Sequence, residues 1–289
     1  MKTSNNSNYA SPNKALGTEE IMNWSKKLLN APVIGNITKR LASMKVNHDA
    51  MNIAVHFTQF LKPEVAVSDE LRDEVFRIRH NVYCEELAFE KVKAEGKEQD
   101  EFDAQSIFSM IKHKPSNTYT SCVRVVKSAN ESELLPIEKY CLASIQNKEL
   151  HPSNFPRHEI AEISRLAVKA DFRRRKMDKF KGSAVGAINV PTYSETELRC
   201  FPFIAIGLYM AAATMSMETG VKHVYVMMEP RLARSMRFVG INFIQLGQAI
   251  DYHGLRAPYY INANMFMEDL SPGFKSLYLE IQKEIGSQL

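Results

Sequence analysis

Several charged residues fall where a folded sheet is normally apolar. Glu98, Asp100 and Asp103 come just ahead of a stretch that reads as a strand. Arg124 stands in the middle of another, and Glu162-x-Ser164-Arg165 lies in the most strand-like segment of the chain. Arg79 joins them from an apolar helix. Strand interiors deplete Arg and Glu, because a buried charge needs a partner. Carboxylates and guanidiniums in comparable numbers therefore predict one ion-paired network. Such a network can simply fasten a loop to the sheet. Surface pairs of that kind contribute little, and buried ones often contribute no net stability over apolar replacements. A functional site explains the buried charges better than folding alone.

The elements that must carry these residues follow from periodicity. Residues 1–17 read as a disordered tail and 18–62 as an N-terminal helical extension. Thr18 can cap a helix over 19–29, and a second amphipathic stretch runs from Ile37 to Leu61, with Ile53, Phe57, Phe60 and Leu61 on one face. These helices can pack on the main domain, lie on a membrane surface or mediate dimerisation. The main domain is expected over 63–289. It opens with a strand over 64–67 and a helix capped by Ser68. From Glu85 to Asp103 eight acidic residues face three lysines. Ser106–Ile111 and Thr118–Val126 read as an antiparallel pair, and 130–157 as an irregular excursion with a helix near 137–145. In the strand over 159–168, strict alternation puts Glu162, Ser164 and Leu166 on one face and Ile163, Arg165 and Ala167 on the other. Phe203 to Glu218 is an apolar helix stopped by Gly220. A strand over 221–228, a short helix over 231–239 and a final hairpin around His253-Gly254 complete the order. The fold class is α/β in the α+β sense, a mixed sheet with helices on both faces.

Composition narrows the classes. With 45% hydrophobic and 24% charged residues, the 289-residue chain is neither disordered throughout, nor collagen-like, nor a disulfide-stapled miniprotein. A net charge of +4 is too mild to argue for nucleic acid. Cys84, Cys122, Cys141 and Cys200 show no metal-ligand spacing, so reduced thiols in a cytoplasmic protein are expected, with no metal. Met1 to Pro12 lacks the apolar core of a signal peptide, and no window approaches the roughly 20 apolar residues of a spanning helix.

The ordered set Arg79, Tyr83, Phe89, Glu98-x-Asp100-x-x-Asp103, Arg124, Glu162-x-Ser164-Arg165 resembles the acyl-homoserine-lactone synthases of quorum sensing, over about 72 to 168. Tyr83 stands where that family usually has Phe, and Phe89 where it usually has Trp. A closer likeness is to the PEP-CTERM/exosortase-system-associated acyltransferases and the related N-acyl amino acid synthases. It rests on Arg79-His-Asn-Val-Tyr-Cys-Glu-Glu-Leu-Ala-Phe-Glu90, Val226-Met-Met-Glu-Pro230 and Asp251-Tyr-His-Gly-Leu-Arg-Ala-Pro258. The resemblance implies the GNAT fold, with a mostly antiparallel sheet, and transfer of an acyl group from a thioester to an amine.

For that chemistry, a carboxylate must take the amine's proton, with Glu98 the first candidate and Glu162 the second. The resemblance implies two splayed central strands, with a backbone N–H of the strand ending Leu166-Ala167-Val168 facing the oxyanion. Arg79, Arg124 and Arg165 would hold Asp100, Asp103 and the other carboxylates, or pair with an amino-acid acceptor. An acyl and acceptor pocket is expected from Tyr83, Phe89, Leu166, Ala167, Val168, Phe203, Tyr225 and Met227, in a chain whose 14 Met suit a deformable tunnel. No Gly-rich pyrophosphate loop follows the strand. Residues 171–181 instead hold Arg173, Arg174, Arg175, Lys176, Lys179 and Lys181 against two Asp, a net charge equal to that of the whole chain. This basic patch suits acyl carrier protein as donor, with acyl-coenzyme A the alternative and no resident cofactor. Two other functions stay open: a homoserine-lactone-type synthase using S-adenosylmethionine, and a silent acyl-lipid-binding regulator.

Overall fold

The computed structural model describes residues 50–173 and 203–289. The tail, the helix expected over 19–29, the first part of the second amphipathic stretch, and Arg174, Arg175, Lys176, Lys179 and Lys181 lie outside the described residues.

Helix α1 (Ala50–Phe60) is followed directly by strand β1 (Leu61–Val65). The expected helix through Leu61 thus stops one residue short, and the sheet begins just before the expected domain start at 63. Ile53 and Phe57 are buried, as the one-face pattern requires. Ser68 caps α2 (Asp69–Arg79), its hydroxyl accepting from the Leu71 N–H at 3.3 Å. The chain continues as a wider π-helical turn, His80–Glu86. Strands β2 (Ser106–His113) and β3 (Thr118–Lys127) form the expected antiparallel pair. After α3 (Pro136–Cys141) come β4 (Ile160–Val168) and the short α4 (Ala170–Arg173). Helix α5 (Ile204–Glu218) ends ahead of Gly220, which takes φ +81°, and leads into β5 (His223–Met228) and α6 (Pro230–Met236). Strands β6 (Ile244–Gln245), β7 (Ile250–Asp251) and β8 (Leu255–Asn262) follow. The chain closes with two helices that the strand-terminated order did not include, α7 (Ala263–Asp269) and α8 (Pro272–Gly286).

The sheet order is β1-β2-β3-β4-β5-β8-β6, with β7 on β8. Among the described residues only β4 and β5 pair in parallel, and only over Ile160–Glu162 against His223–Tyr225. Beyond Glu162 and Tyr225 the two strands share no rung, so the sheet opens into a fork.

Each face has its own cover. On one, α2 packs Val75, Phe76 and Ile78 on Phe108, Met110, Cys122 and Ala167. The same face carries the excursion over 130–157, which covers Val126, Ile160, Tyr225, Met227 and Tyr260. On the other face α5 lies across β2, β3 and β4, and α8 packs on α5 and α1. A side chain at Gly207 would meet Phe57 and Ile111 at 2.8 and 3.1 Å, so this glycine sets how closely α5 approaches. The mixed, mostly antiparallel sheet with helices on both faces is as expected.

Candidate active site

Local backbone features bring the charged residues together. The loop after the π-helical turn folds back on itself: the Phe89 and Glu90 N–H groups both donate to the Tyr83 carbonyl. Glu98 returns to α2, its N–H donating to Phe76 O at 3.0 Å. Asp100 and Asp103 bracket a 3₁₀ turn as a capping pair. Asp100 accepts from Phe102 N at 3.0 Å, and Asp103 accepts from Asp100 N at 2.8 Å. The x-x spacing of these two residues is therefore first a turn requirement, and both Asp100 oxygens and the remaining Asp103 oxygen face the arginines.

Arg79, with no exposed surface, donates to Glu98 at 2.5 Å and to Asp103 at 2.6 Å. Arg124 donates to Asp100 at 2.5 Å, to Asp103 at 2.8 Å and to the Ser164 hydroxyl at 3.1 Å. Arg165 lies 3.2 Å from Asp100, 3.4 Å from Glu98 and 3.3 Å from Glu90. Burial works against the Asp100 carboxylate, but the Arg124 charge and hydrogen bond, with Arg165 and Arg79, hold it below its ordinary range. Glu90 is a member that sequence reasoning did not single out; it was visible only as the last residue of an acidic motif.

Strict alternation put Arg165 on the face opposite Ser164, and the structure corrects this. Arg124 pairs with Ser164 and Cys122 with Ala167, so β4 has one more residue than β3 across this step. Arg165 takes φ +51°, the left-handed conformation of a bulge. The extra residue returns Arg165 to the Ser164 side and into the network. The half-exposed part of β4 is this bulge, Ser164 to Leu166, and it lies past the last rung shared with β5.

Tyr83 donates to the Leu166 carbonyl at 2.8 Å and lies under the Arg165 guanidinium, 5.6 Å from its ring centre. Its ring stacks on Phe89 at 6.5 Å, and Phe89 meets His253 at 6.1 Å. The β7–β8 hairpin thus leans over the mouth of the fork. Ala167 and Val168 pair with Cys122 and Ser121 and are core residues.

Glu162 stands apart from the ion pairs. It occupies the last common rung of β4 and β5, is 3% exposed, and accepts from the Ile137 N–H at 2.6 Å. Burial pushes its carboxyl up to about 8, outweighing the Ile137 hydrogen bond and the charges of Arg124 and Arg165. Glu98 differs, since each of its oxygens already faces a guanidinium.

Two expected groupings change. Tyr225 and Met227 lie in the core beneath the excursion, where Tyr225 donates to Leu150 O at 3.0 Å. Phe203 lies on the α5 side against Phe274. The three cannot line one pocket, because the sheet separates them. Arg173 is mostly buried and ion-paired with Glu86, so it is not an exposed docking charge. A partly open apolar pocket does lie on the α5 side of the sheet, beside the paired rungs of β4, β5 and β8. Ile163, Tyr209, Ala213, Val224, Ile261 and Phe266 are among its lining residues. Among the described residues no cluster of His, Cys, Asp and Glu could hold a metal, and no helix is long and apolar enough to cross a membrane.

Residues 78–181 match the family described as the acetyltransferase (GNAT) domain. Among solved structures, that of TofI in a ternary complex with an inhibitor and MTA is similar at 13% identity, covering 74% of this chain and 99% of that one, with a TM-score of 0.51. FeeM, an N-acyl amino acid synthase from uncultured soil microbes, matches at 13% identity over 73% of this chain and 94% of its own, with a TM-score of 0.46. BjaI, a coenzyme-A-dependent acyl-homoserine lactone synthase, matches at 16% identity over 78% and 89%, with a TM-score of 0.49. No curated protein sequence matches the chain significantly. The fold is that of GNAT proteins.

Proposed function

We propose that this chain is an N-acyltransferase that moves a fatty acyl group from an acyl-carrier-protein thioester to the amine of an amino acid or a related small amine. The observation that carries this reading is the fork: a bulged strand, a carboxyl with a raised pKa at the apex, and an apolar cavity on the far side. The acyl chain enters the cavity and the thioester carbonyl lies at the bulge. The amine approaches from the side of Tyr83, Phe89 and Arg165.

Glu162, when ionised, takes a proton from the amine, directly or through one water. The amine nitrogen attacks the thioester carbon, and the carbonyl oxygen becomes an oxyanion. A backbone N–H of the segment Ser164 to Leu166 is aimed at that charge. Collapse breaks the carbon–sulfur bond, and the thiolate leaves needing little acid assistance. Arg79 and Arg124 keep Asp100 and Asp103 in register, so Glu98 acts as a brace between Arg79 and Arg165 rather than as the base.

Incubating the pure protein with acyl-carrier-protein thioester and an amino-acid mixture tests the reading. An N-acyl amino acid supports it, whereas a lactone, or bound lipid without turnover, overturns it. Since Arg173 is paired with Glu86, the docking test moves to its neighbours. Replacing Arg174, Arg175 and Lys176 with Ala should raise KM for carrier-protein donors, and added salt should mimic the change. Equal use of acyl-coenzyme A with a normal triple variant removes the docking claim.

The cavity supports a further expectation. Ala213→Phe fills space on the α5 wall. It should lower kcat/KM for long acyl chains at least about tenfold relative to short ones. An unchanged ratio of the two, measured by competition in one tube, removes the cavity as the chain site.

A further inference from the structure

We propose that Arg256 is the residue that recognises the acceptor, by pairing with a free carboxylate beside the nucleophilic amine, so that the acceptor is an α-amino acid rather than a simple amine. This rests on the acyl-transfer reading and narrows its substrate class.

Position comes first. The last rung between β5 and β8 joins Met228 to Ala257, and Arg256 lies one residue beyond it, paired with Ile250 of the hairpin. It therefore sits at the free end of the β5 arm of the fork. Arg165 stands on the β4 arm, and Tyr83 is bonded to that arm through the Leu166 carbonyl. Alternation along β8 gives Arg256 the face of Tyr260, which is also the face of Glu162 and of the amine's approach.

Its bonding is the second observation. Every other arginine at the site is ion-paired: Arg79, Arg124 and Arg165 each reach at least two carboxylates. Arg256 has no ion pair among the described residues, and its Nε is buried without a hydrogen-bond partner. A guanidinium offers five donors in a planar fork that fits a carboxylate, and leaving such donors unmet in a buried place is costly. The Arg165 Nε is likewise buried with no partner. Two guanidiniums with unmet donors, one from each arm, suit an anion that arrives with the substrate.

Electrostatic reach agrees with this placement. The Arg256 charge acts on Tyr83 and Cys141 on one face of the sheet and on Tyr209 of α5 on the other. The Arg165 charge also acts on Tyr83, so the two arginines share a neighbour.

A phosphate on the pantetheine arm of the donor offers similar anionic chemistry, and the experiment separates the two. Binding of an N-acyl amino acid and of its carboxamide is measured by calorimetry on the full chain and on Arg256→Gln, with phosphopantetheine as a third titrant. Wild type should prefer the free acid by about 10- to 100-fold. Arg256→Gln should lose most of that preference, Arg256→Lys should keep part of it, and phosphopantetheine affinity should not follow. Equal binding of acid and carboxamide by wild type, or of neither, overturns the inference. A variant that loses phosphopantetheine while keeping its preference for the acid does so too. Preferential binding of the acid by a wild-type protein without turnover sustains the inference and sinks the acyl-transfer reading alone.

Discussion

Glu162→Gln is expected to lose about 10²- to 10⁴-fold in turnover, the usual contribution of a positioned general base. Its pH behaviour should identify the cause. In the wild type the carboxyl is pushed up to about 8 by burial, so kcat/KM should climb with pH and level off above that value. The acceptor's own ammonium adds a separate limb, and the variant should retain only that one. Stability should move the opposite way. The folded chain holds the Glu162 proton more tightly than the unfolded chain, whose ordinary value is 4.5. Its stabilising contribution is complete below that ordinary value and fades as pH rises through about 8. The difference amounts to roughly a few kcal/mol. Asp100 has the reverse sign: its pKa is lowered, so its contribution is present above 3.8 and lost only as pH falls further. Thermal unfolding scans should therefore show wild type weakening from mildly acidic to mildly alkaline pH while Glu162→Gln stays nearly flat. Unchanged turnover in the variant moves the base to Glu98.

The role of Glu162 shows what could be read before the structure and what could not. Residue types and strand location sufficed to nominate the charged set, because a sheet interior tolerates Arg and Glu only when they are paired. Arg79, Glu98, Asp100, Asp103, Arg124 and Arg165 form one network. The division of labour within it was hidden. Glu98 and Glu162 look alike in sequence, and they differ because α3 covers one while two guanidiniums hold the other. Arg165 was assigned the wrong face because period-2 reasoning assumes an unbroken pleat, and a single left-handed residue breaks it. Tyr225 and Met227 were grouped with Phe203 by composition alone, whereas only the pairing of β5 decides which face they share. Helix α8 was legible and was missed. Ser271-Pro272 is a start signal, and Phe274, Leu277, Tyr278, Ile281 and Ile285 form one buried stripe. Arg256 was visible as part of the motif Asp251–Pro258 at the hairpin, but its isolation depends on where β5 ends, which no local pattern marks.

Arg79→Met should have the largest effect on the fold itself. Methionine fills similar volume, so the loss is chiefly one of charge. Arg79 is fully buried, and its removal strands Glu98 and Asp103, which are themselves almost wholly buried. Breaking a buried pair from one side costs up to about 3–5 kcal/mol, because no water replaces the partner that is lost. Asp103 retains Arg124 and Glu98 retains Arg165, which keeps the cost from rising further. Urea unfolding of the two proteins should therefore differ by that amount near neutral pH. Arg165→Met provides the contrast. Its side chain is 20% exposed and its contacts are longer, at 3.2–3.4 Å, so water screens Glu90 and Asp100 when it is removed, and buried Glu98 keeps Arg79. That variant should lose less stability than Arg79→Met and more activity relative to stability, since Arg165 stands at the bulge and Arg79 beneath it. Equal unfolding free energies for Arg79→Met and wild type would mean that the network is solvated, and the fork would then lose the rigid floor on which the proposed chemistry depends.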